Sequence, residues 1–405
     1  MKKRILMISE RIPFPSDNGG KMRTANMMIH LSYQYDIDFV AYSQYPVSEF
    51  QMTKLRSLCS DVYVFPDGLP TLTKHIKAFL KGDSGIVCGI WSEIMRDKIY
   101  ELAAEKNYYF IWVERLFCMP YVKKLLRKNG TPPVILNLHD VDSETIAYFS
   151  KIDRSLIKRL YYRDEYKRVR KLEKYAIKNV CRIIACSHRD VRIYKEKYDF
   201  CHEKWLEAKN GIDLALSDDL SDITKQSRTV LFIGSLDYLC NRDGLMWFLN
   251  DIWDRVLDLV PDVKFVIAGS GSALDIIKDT ALRKRNVEFV GYVNDIKELY
   301  SNANCTVVPL RSGSGTRMKI VESFSFGLPV ISTSIGAEGL PVKNDVNIMI
   351  ADKEAEFAEC IAQIITNDDK RKTIIQNAFI VSEQYDWNLI MDRLIKEIEE
   401  SLCTS

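Results

Sequence analysis

Short apolar segments alternate with amphipathic helical patterns over almost the whole length of this chain. The strand candidates are Arg4–Ser9, Ile37–Tyr42, Val62–Phe65, Tyr109–Val113, Val134–Leu138 and Arg182–Cys186, followed by Thr229–Ile233, Lys264–Ala268, Val287–Val290, Cys305–Pro309, Val330–Thr333 and Ile348–Ile350. Apolar strands that alternate with helices are typical of parallel sheets covered by helices on both faces. The sequence therefore predicts an α/β protein built from doubly wound parallel sheets.

The length of the chain predicts two domains, because 405 residues are more than a single hydrophobic core usually supports. A polar stretch, SDDLSDITKQSR, separates the two sets of strands and is the best linker candidate. We expect an N-terminal Rossmann-like domain at 1–215, a linker at 216–228 and a C-terminal Rossmann-like domain at 229–385. We expect residues 386–405 to form a helix that packs back on the N-terminal domain.

The composition narrows the class of protein. The chain is 47% apolar and 28% charged, as in globular proteins, and its net charge of +2 gives no general electrostatic case for binding nucleic acid. Its ten cysteines show neither C-x-x-C nor zinc-ligand spacing, and the apolar run near the first residue is too short for a signal peptide. No run of about 18 apolar residues predicts a membrane span. We therefore expect a cytoplasmic protein with reduced thiols.

One segment, Lys151–Arg182, is strongly basic. It carries twelve lysines and arginines against four acids, a net charge of +8, and apolar residues such as Leu156, Ile157 and Leu160 lie between the charges. Such a run is typical of a solvated helix face, but it also suits an anionic membrane surface. The sequence leaves both interpretations open. Nucleic acid is not an expected partner, since no recognised nucleic-acid module accompanies the segment.

The segment GSGTRMKIVESFSFGLPVISTSIGAEGL, at 313–340, directly follows an apolar strand candidate. Its order of residues predicts a glycine loop, a helix that starts near Thr316 and a further strand. Free backbone N–H groups and the positive end of a helix dipole favour an anion there. With cations at Arg317 and Lys319 and a carboxylate at Glu322, the pattern suits a ligand that is part phosphate and part polyhydroxylated, such as a nucleotide sugar.

Several motifs together resemble the retaining glycosyltransferases of family four, the group 1 glycosyltransferases. They occur in the family's order: PFPSDNGGKMR, LHD, KNGID, FIGSLDYLCNRDG, IAGSGS, VEFVGYV and the glycine-loop segment. The resemblance implies the GT-B fold, in which two Rossmann-like domains face each other across a cleft. It also implies a metal-independent enzyme of the hexosyltransferase type, which moves a sugar from a nucleotide-sugar donor to a saccharide or lipid-linked acceptor with retention of configuration. Surface polysaccharide or glycan biosynthesis, and a peripheral position on the inner membrane leaflet, follow from the same resemblance.

The resemblance also assigns roles to individual residues. Cations at Arg317 and Lys319 would stabilise the departing diphosphate, Glu322 would accept hydrogen bonds from the ribose, and His139, at a strand end, would touch the donor sugar. The residues implied as catalytic are His139, Arg317 and Lys319, and those implied as donor-binding are Gly19, Gly20, Gly234, Val290, Tyr292, Ser314, Gly315, Thr316 and Glu322.

The sequence departs from the family pattern at two places. Ser314 stands where the family commonly has a glutamate, and the loop after Gly234 lacks the usual arginine and lysine; we expect Asn241 or Asp243 there to cap a helix. Two alternatives therefore stay open: a non-transferase GT-B enzyme, such as a nucleotide-sugar epimerase or a phosphorylase, and a catalytically silent nucleotide-sugar-binding subunit.

No cofactor other than the nucleotide-sugar co-substrate is expected. The Asp140–Asp142 pair forms a D-x-D that binds metals in other transferases, but we assign no metal to it. GSGS at 269–272 lacks the third glycine of a dinucleotide fingerprint, since Leu274 takes that position, so a nicotinamide cofactor is not expected.

Overall fold

The computed structural model describes residues 2–16, 18–66, 84–152, 155–198, 204–214, 228–271, 274–293, 296–312 and 317–403. It divides into an N-terminal unit, formed by Met1–Lys209 with Ile390–Ser405, and a C-terminal unit, Asn210–Leu389. The expected linker lies outside the described residues except for Arg228. The division falls before residue 215 because Ile212 hydrogen-bonds the backbone of Tyr385 and Trp387, which ties this segment to the C-terminal unit.

The N-terminal unit is a parallel sheet of seven strands in the order β3-β2-β1-β4-β5-β6-β7. Its strands are β1 Lys3–Ser9, β2 Tyr35–Ser43, β3 Asp61–Pro66, β4 Phe110–Glu114, β5 Val134–Asn137, β6 Arg182–Ala185 and β7 Trp205–Glu207. Its helices are α1 Gly19–Gln34, α2 Glu49–Leu58, α3 Gly85–Gly89, α4 Glu93–Glu105, α5 Met119–Val122, α6 Asp142–Ile152, α7 Leu156–Asn179 and α8 His188–Lys197, with short 3₁₀ turns at Leu116–Cys118 and Leu125–Arg127. Apart from Lys3 and Arg4 at the start of β1, the residues of the central strands β1, β4 and β5 are buried and most of them are apolar, as a sheet covered by helices requires.

The C-terminal unit is a second parallel sheet, of six strands in the order β10-β9-β8-β11-β12-β13. The strands are β8 Thr229–Ile233, β9 Lys264–Ala268, β10 Val287–Gly291, β11 Cys305–Val308, β12 Val330–Ser332 and β13 Met349–Ile350. The helices are α9 Leu239–Trp247, continued by a π turn at Phe248–Ile252, α10 Trp253–Leu259, α11 Leu274–Leu282, α12 Lys297–Ser301, α13 Met318–Ser325, α14 Glu354–Thr366 and α15 Asp368–Glu383. The buried face of α9 and its π turn includes Leu245, Phe248 and Ile252, which are fully enclosed.

The last helix, α16 Trp387–Cys403, is joined to the N-terminal sheet by polar contacts near its end. Glu399 accepts hydrogen bonds from Tyr35 (2.6 Å) and Tyr109 (3.0 Å) and pairs with Lys3. Arg182 donates to the backbone oxygen of Ser401 at 2.9 Å. These contacts place most of the helix in the N-terminal unit. None of the described helices combines the length and apolar composition that crossing a bilayer requires.

Candidate functional site

In the C-terminal unit, the start of α13 lies at the carboxyl edge of the sheet, at the point where the strand order reverses. The reversal falls between β8 and β11, the neighbouring strands that precede Gly234 and α13. Ligands of open α/β sheets bind outside the strands' carboxyl ends at such a point. The topology therefore brings two separate sequence motifs to one place.

The ammonium group of Lys319 is held against the loop after β8. Its Nζ donates to Oδ1 of Asn241 at 2.8 Å, and Nδ2 of Asn241 donates to the backbone oxygen of Ser235 at 2.8 Å. A β-carbon on Gly234 would lie 2.9 Å from Asn241 Nδ2 and 3.1 Å from Lys319 Nζ, so a side chain there would displace the cation. Glycine at this position is what lets the lysine approach the backbone.

The surroundings of Lys319 oppose the positive charge of its ammonium group. Burial and the neighbouring charge of Arg317 lower the pKa of Lys319 from 10.5 to about 8, although Glu322 opposes the shift. A lysine in this environment gains from an incoming anion, which restores the solvation that the protein withholds. The pKa shift thus fits a group that binds a phosphate.

Arg317 is the N-terminal boundary residue of α13 and is 5% exposed. Its Nη2 donates to the backbone oxygen of Ile335 at 3.1 Å, which fixes the guanidinium beside the first turn of the helix. A buried cation at a helix start is costly, since the helix dipole favours acids there. The placement is understandable if an anion occupies the site during function.

Glu322 lies one turn further along α13. Its Oε2 accepts a hydrogen bond from the hydroxyl of Tyr300 at 3.0 Å, and the Tyr300 ring stacks on Phe326 with centroids 4.6 Å apart. Burial raises the pKa of the Glu322 carboxyl, while Tyr300 and Lys319 oppose the rise. The carboxyl group is therefore oriented by an aromatic partner and can accept further hydrogen bonds from hydroxyls.

The other predicted donor-binding residues of this unit fall into two groups. Val290 lies in β10 and is half-buried, and Tyr292 follows the strand with its side chain largely exposed. Ser314, Gly315 and Thr316 lie outside the described residues.

The expected helix caps in this region are wrong. Helix α9 begins at Leu239 after Tyr238, so Asn241 and Asp243 both lie inside it. Asn241 instead bridges Ser235 and Lys319, and Asp243 forms a bidentate ion pair with Arg311, whose Nε lies 3.0 Å from Oδ2. Their chain positions resemble those of cap residues, but the helix starts earlier than expected.

In the N-terminal unit, the carboxyl ends of β1, β4 and β5 carry a second polar cluster. The sheet order reverses between β1 and β4, so this cluster also lies at a switch point. His139 follows β5, and its Nε2 hydrogen-bonds Glu114, the last residue of β4. Sequence inspection missed Glu114, since a single glutamate at the end of an apolar strand carries no distinctive pattern.

Gly19 and Gly20 form the first turn of α1. Their Asn-Gly-Gly context is typical of a turn in a loop, but the helix already begins at Gly19. Asn18 caps the helix by accepting a hydrogen bond from the N–H of Lys21 at 3.1 Å. A β-carbon on Gly20 would lie 3.7 Å from His139 Nδ1. The structure thus brings Gly20 and His139 together, two residues that the sequence predicted separately.

Beside this pair, Arg115 joins two carboxylates from different strand ends. Its Nη1 lies 2.6 Å from Glu10 and its Nη2 3.7 Å from Asp142. Burial raises the pKa of Asp142 to about 8, although Arg115 opposes the rise. The D-x-D aspartate is therefore paired with an arginine, and no group of three potential metal-ligating side chains occurs in the part of the chain that the structure describes.

The backbone of Arg115 is strained, with φ of 71° and ψ of 154°, a region that essentially only glycine occupies at no cost. Because both variants lack the ion pairs, Arg115→Gly and Arg115→Ala differ only in backbone preference. We expect the glycine variant to melt about 2–4 °C higher, the shift that corresponds to about 1 kcal/mol. At an unstrained position alanine is favoured by about 0.4–1 kcal/mol, so a higher melting temperature for the alanine variant would contradict the strain.

Part of the chain matches a known family model, and two relatives are similar to it over most of its length. Residues 227–367 match the family model described as glycosyl transferases group 1. An uncharacterized 44.6 kDa protein in the cps region of Klebsiella pneumoniae is 25% identical and covers 97% of this chain and 99% of its own length. The UDP-Gal:alpha-D-GlcNAc-diphosphoundecaprenol alpha-1,3-galactosyltransferase of Escherichia coli is 21% identical, with 83% of this chain and 81% of the relative covered.

Among solved structures, Anabaena HepE in complex with UDP and glucose superposes with a TM-score of 0.68. The match covers 98% of this chain and 99% of HepE at 17% sequence identity. At this identity the likeness concerns the fold alone. The predicted fold class is confirmed: each of the two units is a parallel α/β sheet covered by helices, and the similar solved structures have the GT-B fold.

Proposed function

We propose that this chain, whose residues 227–367 match the group 1 glycosyltransferase family model, transfers a sugar with retention of configuration to a saccharide or lipid-linked acceptor. The donor is a nucleotide sugar. The proposal for the donor rests on the cluster of Lys319, Asn241 and Gly234. There the ammonium group of Lys319, from the glycine-loop segment, lies against the backbone of the loop that begins at Gly234. The Escherichia coli relative, which by its name acts on a diphosphoundecaprenol-linked sugar, supports a lipid-linked acceptor.

In the proposed reaction, the bond between the sugar's anomeric carbon and the diphosphate breaks. A bond from an acceptor oxygen forms on the same face, and the acceptor proton passes to an oxygen of the leaving diphosphate. Arg317 and Lys319 would stabilise the charge that develops on that diphosphate, since cations fixed in place need no reorganisation as the charge appears. Glu322 would accept hydrogen bonds from the ribose. No metal is required in this scheme, because the two side chains supply the positive charge.

The direct test is binding followed by product analysis. Thermal shift against UDP, GDP and their sugars identifies the donor, because a ligand of the native state raises the melting temperature. The selected donor is then incubated with candidate acceptors, with and without EDTA, and the linkage is determined by NMR. We expect a glycoside of retained configuration under both conditions. Donor isomerisation would indicate an epimerase, a requirement for phosphate a phosphorylase, and binding without turnover a silent subunit.

The basic segment supports a membrane-facing position for the N-terminal unit. Helix α7 contains three acids, and two of them are buried. Glu165 accepts the backbone N–H of Gly85 at 3.0 Å, and Glu173 accepts from Ser143 N (3.0 Å) and the Tyr198 hydroxyl (2.6 Å). These two acids are thereby occupied with neighbouring elements, and the third, Asp164, pairs with Arg168. The exposed residues of the helix include the cations Lys158, Arg163, Lys167, Lys171, Lys174 and Lys178.

An apolar tip accompanies this basic face at the start of α7. Leu156, Ile157 and Leu160 are 72%, 80% and 63% exposed, and Tyr148 and Phe149 of α6 are also exposed. Exposed aliphatic and aromatic side chains next to cations are what an anionic lipid surface binds. We therefore propose that the apolar tip enters the headgroup region of an anionic membrane that holds the acceptor.

Removing the apolar tip is expected to weaken membrane binding. Each buried aliphatic side chain is worth about 1.5 kcal/mol, so Ile157→Ser combined with Leu160→Ser should lower partitioning onto phosphatidylglycerol vesicles at least about tenfold. Leu282→Ser is the matched control, since Leu282 is 64% exposed in the C-terminal unit. Cosedimentation measures the effect, and equal binding of wild type to phosphatidylcholine would contradict the role of the charges.

A further inference from the structure

Glu114 is a buried carboxylate at the centre of the N-terminal polar cluster, with 1% of its side chain exposed. Four side chains donate to it: Trp112 Nε1 to Oε2 at 2.7 Å, Asn137 Nδ2 to Oε1 at 3.0 Å and to Oε2 at 3.1 Å, Thr24 Oγ1 to Oε1 at 3.0 Å, and His139 Nε2 to Oε1. Burial alone would raise the pKa of Glu114, but the hydrogen bonds from His139, Trp112 and Asn137, together with the charge that His139 carries when protonated, outweigh it and lower the pKa of Glu114 below its ordinary value. The carboxylate is therefore ionised at neutral pH.

An ionised carboxylate can only accept, so the ring nitrogen that faces it must carry a proton. Nε2 of His139 is accordingly the donor. Burial lowers the pKa of His139 below its ordinary value, although Glu114 opposes this. The shift favours the neutral ring, in which Nδ1 is an acceptor. Nδ1 faces the first turn of α1 beside Gly20, and no described residue hydrogen-bonds it.

We infer that Glu114 is a positioning residue, which fixes the Nε2–H tautomer of His139 so that Nδ1 accepts a hydrogen bond from a substrate hydroxyl at the first turn of α1. This inference rests on the proposed function, in which His139 contacts a sugar substrate. The chemistry suits a hydroxyl and not a phosphate oxygen, because a neutral ring that presents a lone pair repels an anion.

The surroundings support a fixed ring. Arg23 of α1 donates to Asn137 Oδ1 at 3.0 Å and to the backbone oxygen of Ala208 at 2.8 Å, which holds Asn137 with its amide towards Glu114. The charges that face His139 are those of Glu114, Arg23 and Arg115, and both arginines disfavour the protonated ring. Groups from α1, β4 and β5 thus act together on one imidazole.

The tautomer can be read directly by nitrogen NMR. With ¹⁵N-histidine labelling, the five histidines give separate pairs of ring-nitrogen shifts, and the His139→Gln spectrum identifies those of His139. We expect a protonated Nε2 and an unprotonated Nδ1 across pH 6–8. A protonated Nδ1, or a doubly protonated ring at pH 7, would overturn the inference.

Glu114→Gln should invert the tautomer. The indole N–H of Trp112 can only donate and contacts Oε2 alone, so the glutamine oxygen belongs there and its NH₂ group faces His139. Nε2 must then accept, and the proton moves to Nδ1. We expect NMR to show this inversion and kcat/KM to fall at least about tenfold, as when an amide replaces the carboxylate that orients a catalytic histidine. Inversion with unchanged kcat/KM would overturn the positioning role.

Controls separate this inference from the fold and from the proposed function. Trp112→Phe removes one donor to Glu114 without touching His139, and should keep both the tautomer and the rate within a few-fold. If Glu114→Gln does not fold, His139→Asn and His139→Gln decide, because the asparagine amide lies near the place of Nδ1 and the glutamine amide near that of Nε2. Higher activity in His139→Asn supports the inference, and higher activity in His139→Gln overturns it. The wild-type tautomer is measured without any substrate, so a wild type that forms no glycoside would refute the proposed function alone.

Discussion

Arg317→Ala is expected to lower kcat for sugar transfer by about 10² to 10³, while the protein stays folded. Removing one preorganised group that stabilises charge in a transition state typically costs about 2.7–4 kcal/mol. The charge on the diphosphate grows as the glycosidic bond breaks, so the loss should appear more in kcat than in KM. Steady-state kinetics with the donor from the thermal-shift screen measure both constants.

Arg371→Ala is the matched control for this variant. Arg371 is 3% exposed, close to the 5% of Arg317, but its guanidinium pairs with Asp368 on α15 at 2.8 Å and takes no part in the proposed site. Both variants lose a buried arginine, so both should lose stability. Only Arg317→Ala should lose turnover, and near-normal kcat in that variant would refute its assignment.

The fold was predictable from sequence because its signal is local and repeated. Each short apolar run between helical patterns predicts a buried strand by itself. Twelve such segments therefore indicated two parallel sheets without knowledge of any contact. The strand Trp205–Glu207 was not predicted, since three half-buried residues carry too little pattern. The helix cap expected at Asp243 was wrong because an ion pair with Arg311 accounts for that carboxylate.

The candidate site was predictable only in part. Arg317, Lys319 and Glu322 lie within one short segment, so a loop and helix pattern places them together. Asn241 is 78 residues from Lys319, and Glu114 is 25 residues from His139 on another strand. Such pairs depend on strand order, which a single sequence does not specify. Contacts across strand ends therefore had to come from the structure.

A second large effect, on the pH dependence of kcat/KM, is expected at Lys319. Its pKa of about 8 means that the ammonium is charged below pH 8 and loses its proton as the pH rises through that value. The kcat/KM profile reports the free enzyme, so it should fall on an alkaline limb near pH 8. Lys319→Met should lower kcat/KM at pH 7 by about 10², the lower end of the range for one lost charge-stabilising group, and should abolish the limb.

Two further variants identify the group that titrates. Lys319→Arg stays charged at every accessible pH, so it should remove the limb while it keeps more activity than Lys319→Met. Lys284→Met is the control, because Lys284 is a half-buried lysine that pairs with Asp254 at 2.6 Å away from the proposed site, and the limb should persist there. Arg317 helps to lower the pKa of Lys319, so its removal should shift the limb of Arg317→Ala to higher pH, which separates a coupled pair of cations from two independent ones. A limb that persists in Lys319→Met would assign the titration to another group.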